Sequence, residues 1–502
     1  MSVQLNKFQM TNATSWKGLT KANSLAALWG SGQDTQKISN MVTDILSYNF
    51  GNNIDTFLKK FPTKVLDNED DFVWELRGNA PKNVKLEEAS FNGSIITSST
   101  SDEIGKGGTE IELRFEKDLF SKGDLIVGEN PDDFALYIKA YEYDGSYYTA
   151  TCVINTGDPN VSVPAEDLVA GTYWSVEYHA VEAEFSSDGG EVIHTSNISM
   201  RNGFTHIRMK QKNPGNMVGR KLIGTVLGKD ANGKEMLLWT DYQSYKIDYE
   251  LRMQWNRALM FGKSNRSQYG SFNITGDSGY QIKTGAGIRE QMETANTTTY
   301  TTFDIDEFSS RLMDLSEGKL ETDDRAFVGR CGERFAYQFH KALEDYSQLF
   351  TPTREMERIG KANADFIGSN KGLSYGGQFV EYMGPNGIKF NLSVDGIYSD
   401  PTRNKKIHPD NGLEESYRCD IFDIGTTEEE PNIQLYQAGN LGMVKWYIEG
   451  ARSPYSWNGS GYNTPRSAAS PIDGWEEHCM VSGAAVVKDP TRTATFKYGS
   501  SI

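Results

Sequence analysis

Residues 241–263, DYQSYKIDYELRMQWNRALMFGK, are the stretch on which the fold turns. They contain no proline and run to Gly262, a residue suited to closing a helix. The spacing predicts one helix of roughly six turns. Its apolar residues form two stripes on nearly opposite sides: Tyr245, Tyr249, Met253 and Met260 on one, Ile247, Leu251, Trp255 and Ala258 on the other. A helix apolar on two sides must be sandwiched, across the middle of its own domain, against a second subunit, or both.

On the N-terminal side of this helix the periodicity is close to two. FVWELRG, TEIELRF, DLIVG, FALYIKAYEYDGSYYTATCVI and TYWSVEYHAVEAEF, between Phe72 and about Ile207, read as antiparallel strands broken by Gly, Asp and Asn. KLIGTVLGKDANGKEMLLW reads as a further hairpin turning at Asn232-Gly233. Residues 1 to about 62 read as short helices joined by Gly/Asn turns, with Ile38, Met41, Ile45 and Leu46 on one face, an arm too thin to hold a core. On the C-terminal side, Asp304 with Glu307 opens a helix that buries Ile305, Phe308, Leu312 and Leu315. RAFVGRC is a strand, and ERFAYQFHKALEDYSQLF a helix burying Phe335, Phe339, Leu343 and Tyr346. QFVEYM and IKFNLSV flank Gly384-Pro385-Asn386-Gly387 as a hairpin, and YRCDIFDIG, NIQLYQA, MVKWYIEGA and GAAVVK add strands. The fold class is α+β.

The chain has 502 residues and a formal charge of -17. That length suffices for two or three domains, and the acidic balance argues against holding nucleic acid through a dense basic stripe. No basic segment followed by an apolar stretch opens the sequence, and no run of about 18 apolar residues occurs, so neither export by a signal peptide nor a membrane span is expected. Cys152, Cys331, Cys419 and Cys479 are far apart and lack CxxC spacing, which reads as four free thiols of a reducing cytoplasm.

Motifs with catalytic overtones fare poorly. GDSG at 276–279 raises a serine nucleophile at Ser278, for which His179, His194 or His206 would have to serve as base beside a buried Asp. None of these histidines has the setting of a chymotrypsin-like enzyme, and Tyr280-Gln281 replaces the usual Gly-Pro, so Ser278 reads as a turn residue. Gly224–Asp230, GTVLGKD, is one residue short of a phosphate-binding loop and lacks its Ser/Thr. His478-Cys479 is the only adjacent His/Cys pair, and the acidic runs Asp67–Asp71 and Glu428–Glu430 lack the spacing of a Ca²⁺ loop. No catalytic, cofactor-binding or metal residue is assigned.

Taken in order, a thin arm, a long β excursion, a two-faced helix and a mixed region closing in strands resemble the major capsid proteins of tailed double-stranded DNA phages, which share the Hong Kong 97 fold. MSVQLNKFQM and RAFVGRCGERFAYQFHKALEDYSQLF are most similar in wording to capsid proteins of crAss-like phages. The resemblance covers most of the chain. It implies an N-terminal arm (1–62), an extended β loop (63–240), a spine helix (241–263) and peripheral and axial domains (264–502). The length between about Glu116 and Asn213 exceeds a simple loop and implies an inserted β subdomain. The implied function is structural, not enzymatic: pentamers and hexamers of this chain forming an icosahedral shell around packaged DNA. Implied partners are itself, the portal, a scaffold and auxiliary or head-fibre proteins, with non-specific proximity to DNA and no membrane or cofactor. The implied location is the virion, after synthesis in the bacterial host cytoplasm. The alternative is a virion-associated or secreted β-rich hydrolase or carbohydrate-binding protein.

Overall fold

The computed structural model describes Met41–Val42 and residues 53–499, apart from 68–70, 77–81, 101–102, 185–188, 191, 216–224, 227–238, 268–269, 293, 319–324, 346–380, 384–386, 428–429, 440 and 455–467. The chain is mixed α and β, mostly strand. It divides into two compact units, one of residues Glu75–Met200 and the other of Met1–Trp74 with Arg201–Ile502. The segments through which the chain passes between them, Asp71–Leu76 and Ile198–Gly203, pair as a two-stranded sheet.

The smaller unit is a closed antiparallel barrel. Its strands run Tyr173–His179, Asp124–Val127, Leu136–Tyr143, Tyr148–Ile154, Ile111–Phe115 and Asn83–Phe91, and the last pairs back onto the first with Trp174 opposite Val84. Ser94–Ile95 adds a short hairpin to the rim. Alternation decides the inside: Val84 and Leu86, then Ile111, Leu113 and Phe115, are buried while Lys85 and Glu112 face out. Trp174 fills the interior, and a side chain at Gly128 would strike its ring at 3.2 Å. The strand read as TYWSVEYHAVEAEF stops at His179, with one last bond from the Ala180 amide to the Gly123 carbonyl.

In the larger unit, Gly474–Val487 is the central strand of one sheet, with Thr205–Pro214 along one side and Met443–Glu449 and Ile433–Ala438 along the other. Lys64–Leu66 joins in parallel at Ile433–Ala438. This strand is longer than the GAAVVK read from sequence, since its first half carries Glu476, Glu477 and His478. The long helix, Trp239–Phe261, begins two residues before the expected Asp241 and packs on this sheet. Ile247, Leu251, Trp255 and Leu259 are its buried stripe, and Met260 is buried too. Tyr245, Tyr249 and Met253, expected as the second buried stripe, are half-buried. The helix ends where Gly262 and Gly287 meet backbone to backbone, too close for a Cβ at either.

The other sheet runs Thr297–Tyr300, Thr493–Tyr498, Cys419–Asp423, Ala326–Cys331, Lys389–Val394 and Glu381–Met383. Ala326–Cys331 and Lys389–Val394 are parallel neighbours, with the helix Glu333–Asp345 lying between them in sequence. That helix and Ile305–Ser316, capped by Asp304, bury Phe308, Leu312, Phe335 and Phe339 against Phe327, Phe390 and Phe496. Leu343 is partly buried, and Tyr346 lies outside the described residues. Of the arm's expected helices, Ile54–Leu58 is present, while Met41–Val42 is instead a short strand parallel to Thr225–Val226. The Asn232-Gly233 turn lies outside the described residues, as does most of GTVLGKD.

Candidate functional site

Ser278 sits in the exposed turn of a small hairpin. Thr275 bridges to Gln281, Gly276 N–H donates to the Tyr280 carbonyl at 2.8 Å, and Gly279 takes φ +82, which favours glycine. None of the expected bases is offered to it. His194 and His206 are exposed. His179 belongs to the barrel unit, where its Nδ1 lies 2.8 Å from Asp124 and its ring is wedged between Gly123 and Gly190. Asp124 also accepts from the Ser121 amide, so this Asp–His pair fixes the local turn.

His478 and Cys479 point to opposite faces of their strand. His478 stacks on Trp446, with centroids 5.4 Å apart, and Arg208 lies over the same indole. Cys479 faces the long helix, 3.6 Å from Asp248. One metal cannot take both, and among the described residues no three His, Cys, Asp or Glu side chains converge as a metal site.

The larger unit instead concentrates buried charge where distant segments meet. Asp420, fully buried, accepts from Arg289 at 3.0 Å, Arg418 at 2.9 Å, Tyr398 at 2.8 Å and Thr495 at 2.9 Å. Burial pushes its carboxyl up, but Arg289 and Arg418 with the Tyr398 hydrogen bond outweigh that and hold it at about 2. Arg289 also pairs with Glu415 and lies over the Phe261 ring at the end of the long helix. Arg330 and Asp395 pair at 2.7 Å, each 2% exposed. Asp423 pairs with Arg492 at 3.1 Å, yet burial dominates and its carboxyl is raised. Lys445 bridges Glu477 and Asp248 beneath the long helix, where burial lowers its ammonium but the two carboxylates raise it further.

Among the described residues, hydrogen bonds and apolar packing join Ile54–Leu58 to the long helix. Trp255 Nε1 donates to Asp55 at 2.9 Å, and the Asp55 amide donates to Asn256 at 3.0 Å. Asn53 caps the short arm helix by accepting from Thr56, which aims Ile54, Phe57 and Leu58 into the core beside Leu251 and Leu259. This short helix is thus anchored on the long one. Sequence reasoning expected short helices between residues 1 and 62 without singling out this one or its partners, and missed Arg289, Asp395 and Asp420 altogether. The available signal was an acidic residue flanked by apolar ones inside a strand, as in CDIFD.

These features describe a scaffold whose interior is committed to holding its segments together, with exposed apolar side chains left over. Ile274, Tyr280 and Ile282 crown the Ser278 hairpin, and Tyr143, Tyr173 and Tyr178 lie on the barrel. A family model described as Crassvirus major capsid protein matches residues 2–500. The chain is 35% identical over 506 residues to the major capsid protein of Bacteroides phage crAss001, covering 98% of each. Among solved structures, the capsid of cyanophage P-SCSP1u is similar at a TM-score of 0.31 and 8% identity, over 64% of this chain and 81% of that one. A solved chain of Mycobacterium phage Adephagia is similar at 0.31 and 10% identity, over 65% and 82%.

Proposed function

This chain belongs to the Crassvirus major capsid protein family, and from that premise we propose how it builds a shell. It is a structural protein of the virion and not an enzyme, so the hydrolase or carbohydrate-binding alternative falls away. Copies assemble as pentamers and hexamers into an icosahedral head that encloses double-stranded DNA. Residues 1–62 act as the arm, 63–240 as the extended loop with the Glu75–Met200 barrel as its inserted subdomain, 241–263 as the spine helix, and 264–502 as the peripheral and axial domains. Synthesis in the host cytoplasm, a portal, a scaffold and auxiliary or head-fibre proteins complete the reading.

The observation that carries it is the anchoring of the arm. Asp55 ties the arm's last turn to Trp255 and Asn256 of the long helix, and Asn53 caps that turn. The preceding residues can then reach a neighbour while the subunit stays folded, and a shell subunit needs contact area beyond its own compact body. Expressed full-length protein is expected to form megadalton shells or capsomer rings by light scattering and negative-stain microscopy. A chain lacking residues 1–50 keeps Asn53 and is expected to remain soluble without closing shells. A full-length protein that stays monomeric, or a truncate that builds normal particles, overturns the proposal.

A further inference from the structure

Cys331 and Cys419 are distant in sequence, but folding sets them opposite each other on neighbouring antiparallel strands. The Gly332 amide donates to the Arg418 carbonyl at 3.1 Å. That makes residues 332 and 418 the hydrogen-bonded pair and Cys331 and Cys419 a non-hydrogen-bonded pair. In such a pair the Cα atoms lie about 4.5 Å apart and both side chains project to the same face. A disulfide spans Cα separations from about 4.4 Å upward, so the pair falls within its reach without movement of the strands. Both cysteines are free thiols and fully buried, in one apolar cluster with Phe327, Phe335, Ile421 and Phe496. Gly329 lies beside them, and a Cβ there would come within 3.0 Å of the Cys419 sulfur, so the glycine leaves that sulfur room to turn.

The other two cysteines have no such counterpart. Cys152 stands opposite Ile111 and Ile138, and Cys479 opposite Met209 and Lys445. Burial raises the Cys419 thiol, so little thiolate is present while the sheet stays closed.

We infer that Cys331 and Cys419 form an oxidisable pair, reduced and inert in the closed sheet, and joined as an intrachain disulfide when the strands open in the presence of a low-molecular-weight disulfide. One cysteine thiolate attacks the small disulfide, forming a mixed disulfide and releasing one small thiolate. The second cysteine thiolate attacks the protein sulfur of that mixed disulfide and releases the other small thiolate. The two cysteines lose two electrons, the small disulfide gains them, and the two thiol protons pass to the released thiolates. The product closes a loop over residues 332–418 and ties together two central strands of the six-stranded sheet. The inference rests on strand register alone and stands or falls independently of how the subunit assembles.

The test is to incubate full-length protein with oxidised glutathione at neutral pH, with and without urea below the unfolding midpoint. Remaining thiols are then alkylated after denaturation, and the unreduced digest is mapped by mass spectrometry. Alkylated cysteines should fall from four to two, with one linked peptide pair joining Cys331 to Cys419, formed faster in urea and lost on adding dithiothreitol. A Cys152→Ala/Cys479→Ala variant should form the same link, and Cys331→Ala or Cys419→Ala should abolish it. Four alkylated cysteines under both conditions, glutathione adducts without the link, a link through Cys152 or Cys479, or a link formed only above the midpoint would each overturn the inference.

Discussion

The barrel and the larger unit bury their strands in opposite ways. In the barrel the core from Val84 to Trp174 is almost wholly aliphatic and aromatic, and its buried carboxylates, Asp124 and Asp167, bond neutral or singly ionisable partners of the same unit, Ser121, His179 and Asn130, with no Arg or Lys beside them in these bonds. In the larger unit Arg330, Asp395, Asp420, Asp423 and Glu477 are buried within or beside the sheets, and their partners come from remote segments. The topologies explain the contrast. Most barrel strands pair with strands nearby in sequence, so alternation and short turns suffice to set register. The larger unit brings Lys64–Leu66 onto Ile433–Ala438 and Thr205–Pro214 onto Gly474–Val487, where many partners and registers would satisfy hydrophobicity alone. A buried ion pair formed only in the right register selects among them, at a cost in desolvation. The barrel is accordingly read as a self-sufficient insertion, and the larger unit as one cooperative body whose parts depend on each other.

The largest effect is expected from breaking one of those pairs. Arg330→Met leaves Asp395 buried without its cation, and removing one partner of a buried pair costs about 3–5 kcal/mol. Hydrogen exchange followed by mass spectrometry during urea unfolding should show peptides of the larger unit losing protection at lower urea, while barrel peptides between Asn83 and His179 keep their midpoint. Equal shifts in both would mean that the two units unfold as one, and the contrast would collapse.

The reciprocal substitution acts within the barrel. Leu113 is fully buried between Phe115 and Ile111 on its strand and opposite Ala150 and Ala89 on its neighbours. Leu113→Ala removes that packing and leaves a cavity, a loss of about 3 kcal/mol in a site that cannot collapse. The same exchange measurement should now report early opening of the barrel peptides alone. Protection lost across residues 201–499 as well would break the comparison from the other side.

How far the sequence revealed all this follows from the same contrast. The Asp304 helix and most barrel strands were legible because one face is buried and the other wet, which writes a period into the chain, and the long helix because it lacks proline and closes at Gly262. Met41 was misread because apolar spacing over so short a segment does not separate helix from strand. The first half of Gly474–Val487 escaped because Glu476, Glu477 and His478 look like a solvated loop until Lys445, Ser244, Lys212 and Trp446 supply their partners. Barrel closure, with Tyr173–Ser175 on Asn83–Lys85, and the pairing of Cys331 with Cys419 are non-local registers that local periodicity does not encode. Ser278 was read as a turn residue, and its exposed hairpin is a turn.

Acid should separate the two units by the smallest margin but with a defined sign. Asp420 is held at about 2 in the folded protein against an ordinary value of 3.8. A carboxyl depressed on folding stabilises the fold fully above its unfolded pKa, and that stabilisation is lost as pH falls through the folded value. The loss is about 2 kcal/mol, spread between roughly pH 4 and pH 2. Asp400, lowered by Thr402 and Arg257 against burial, acts in the same direction. Asp423 acts oppositely: its carboxyl is raised, so the fold gains as pH falls through that raised value, and the gain is complete near 3.8. The two aspartates therefore speak in different windows. The urea midpoint of the larger unit should hold or rise slightly on acidification toward pH 4 and then fall below it, more steeply than that of the barrel, which shares the general charge repulsion of acid. Asp420→Asn should remove most of that extra slope. A variant that keeps the full slope would mean that the acid sensitivity arises elsewhere, and that the Arg289–Asp420–Arg418 cluster is not what distinguishes the larger unit at low pH.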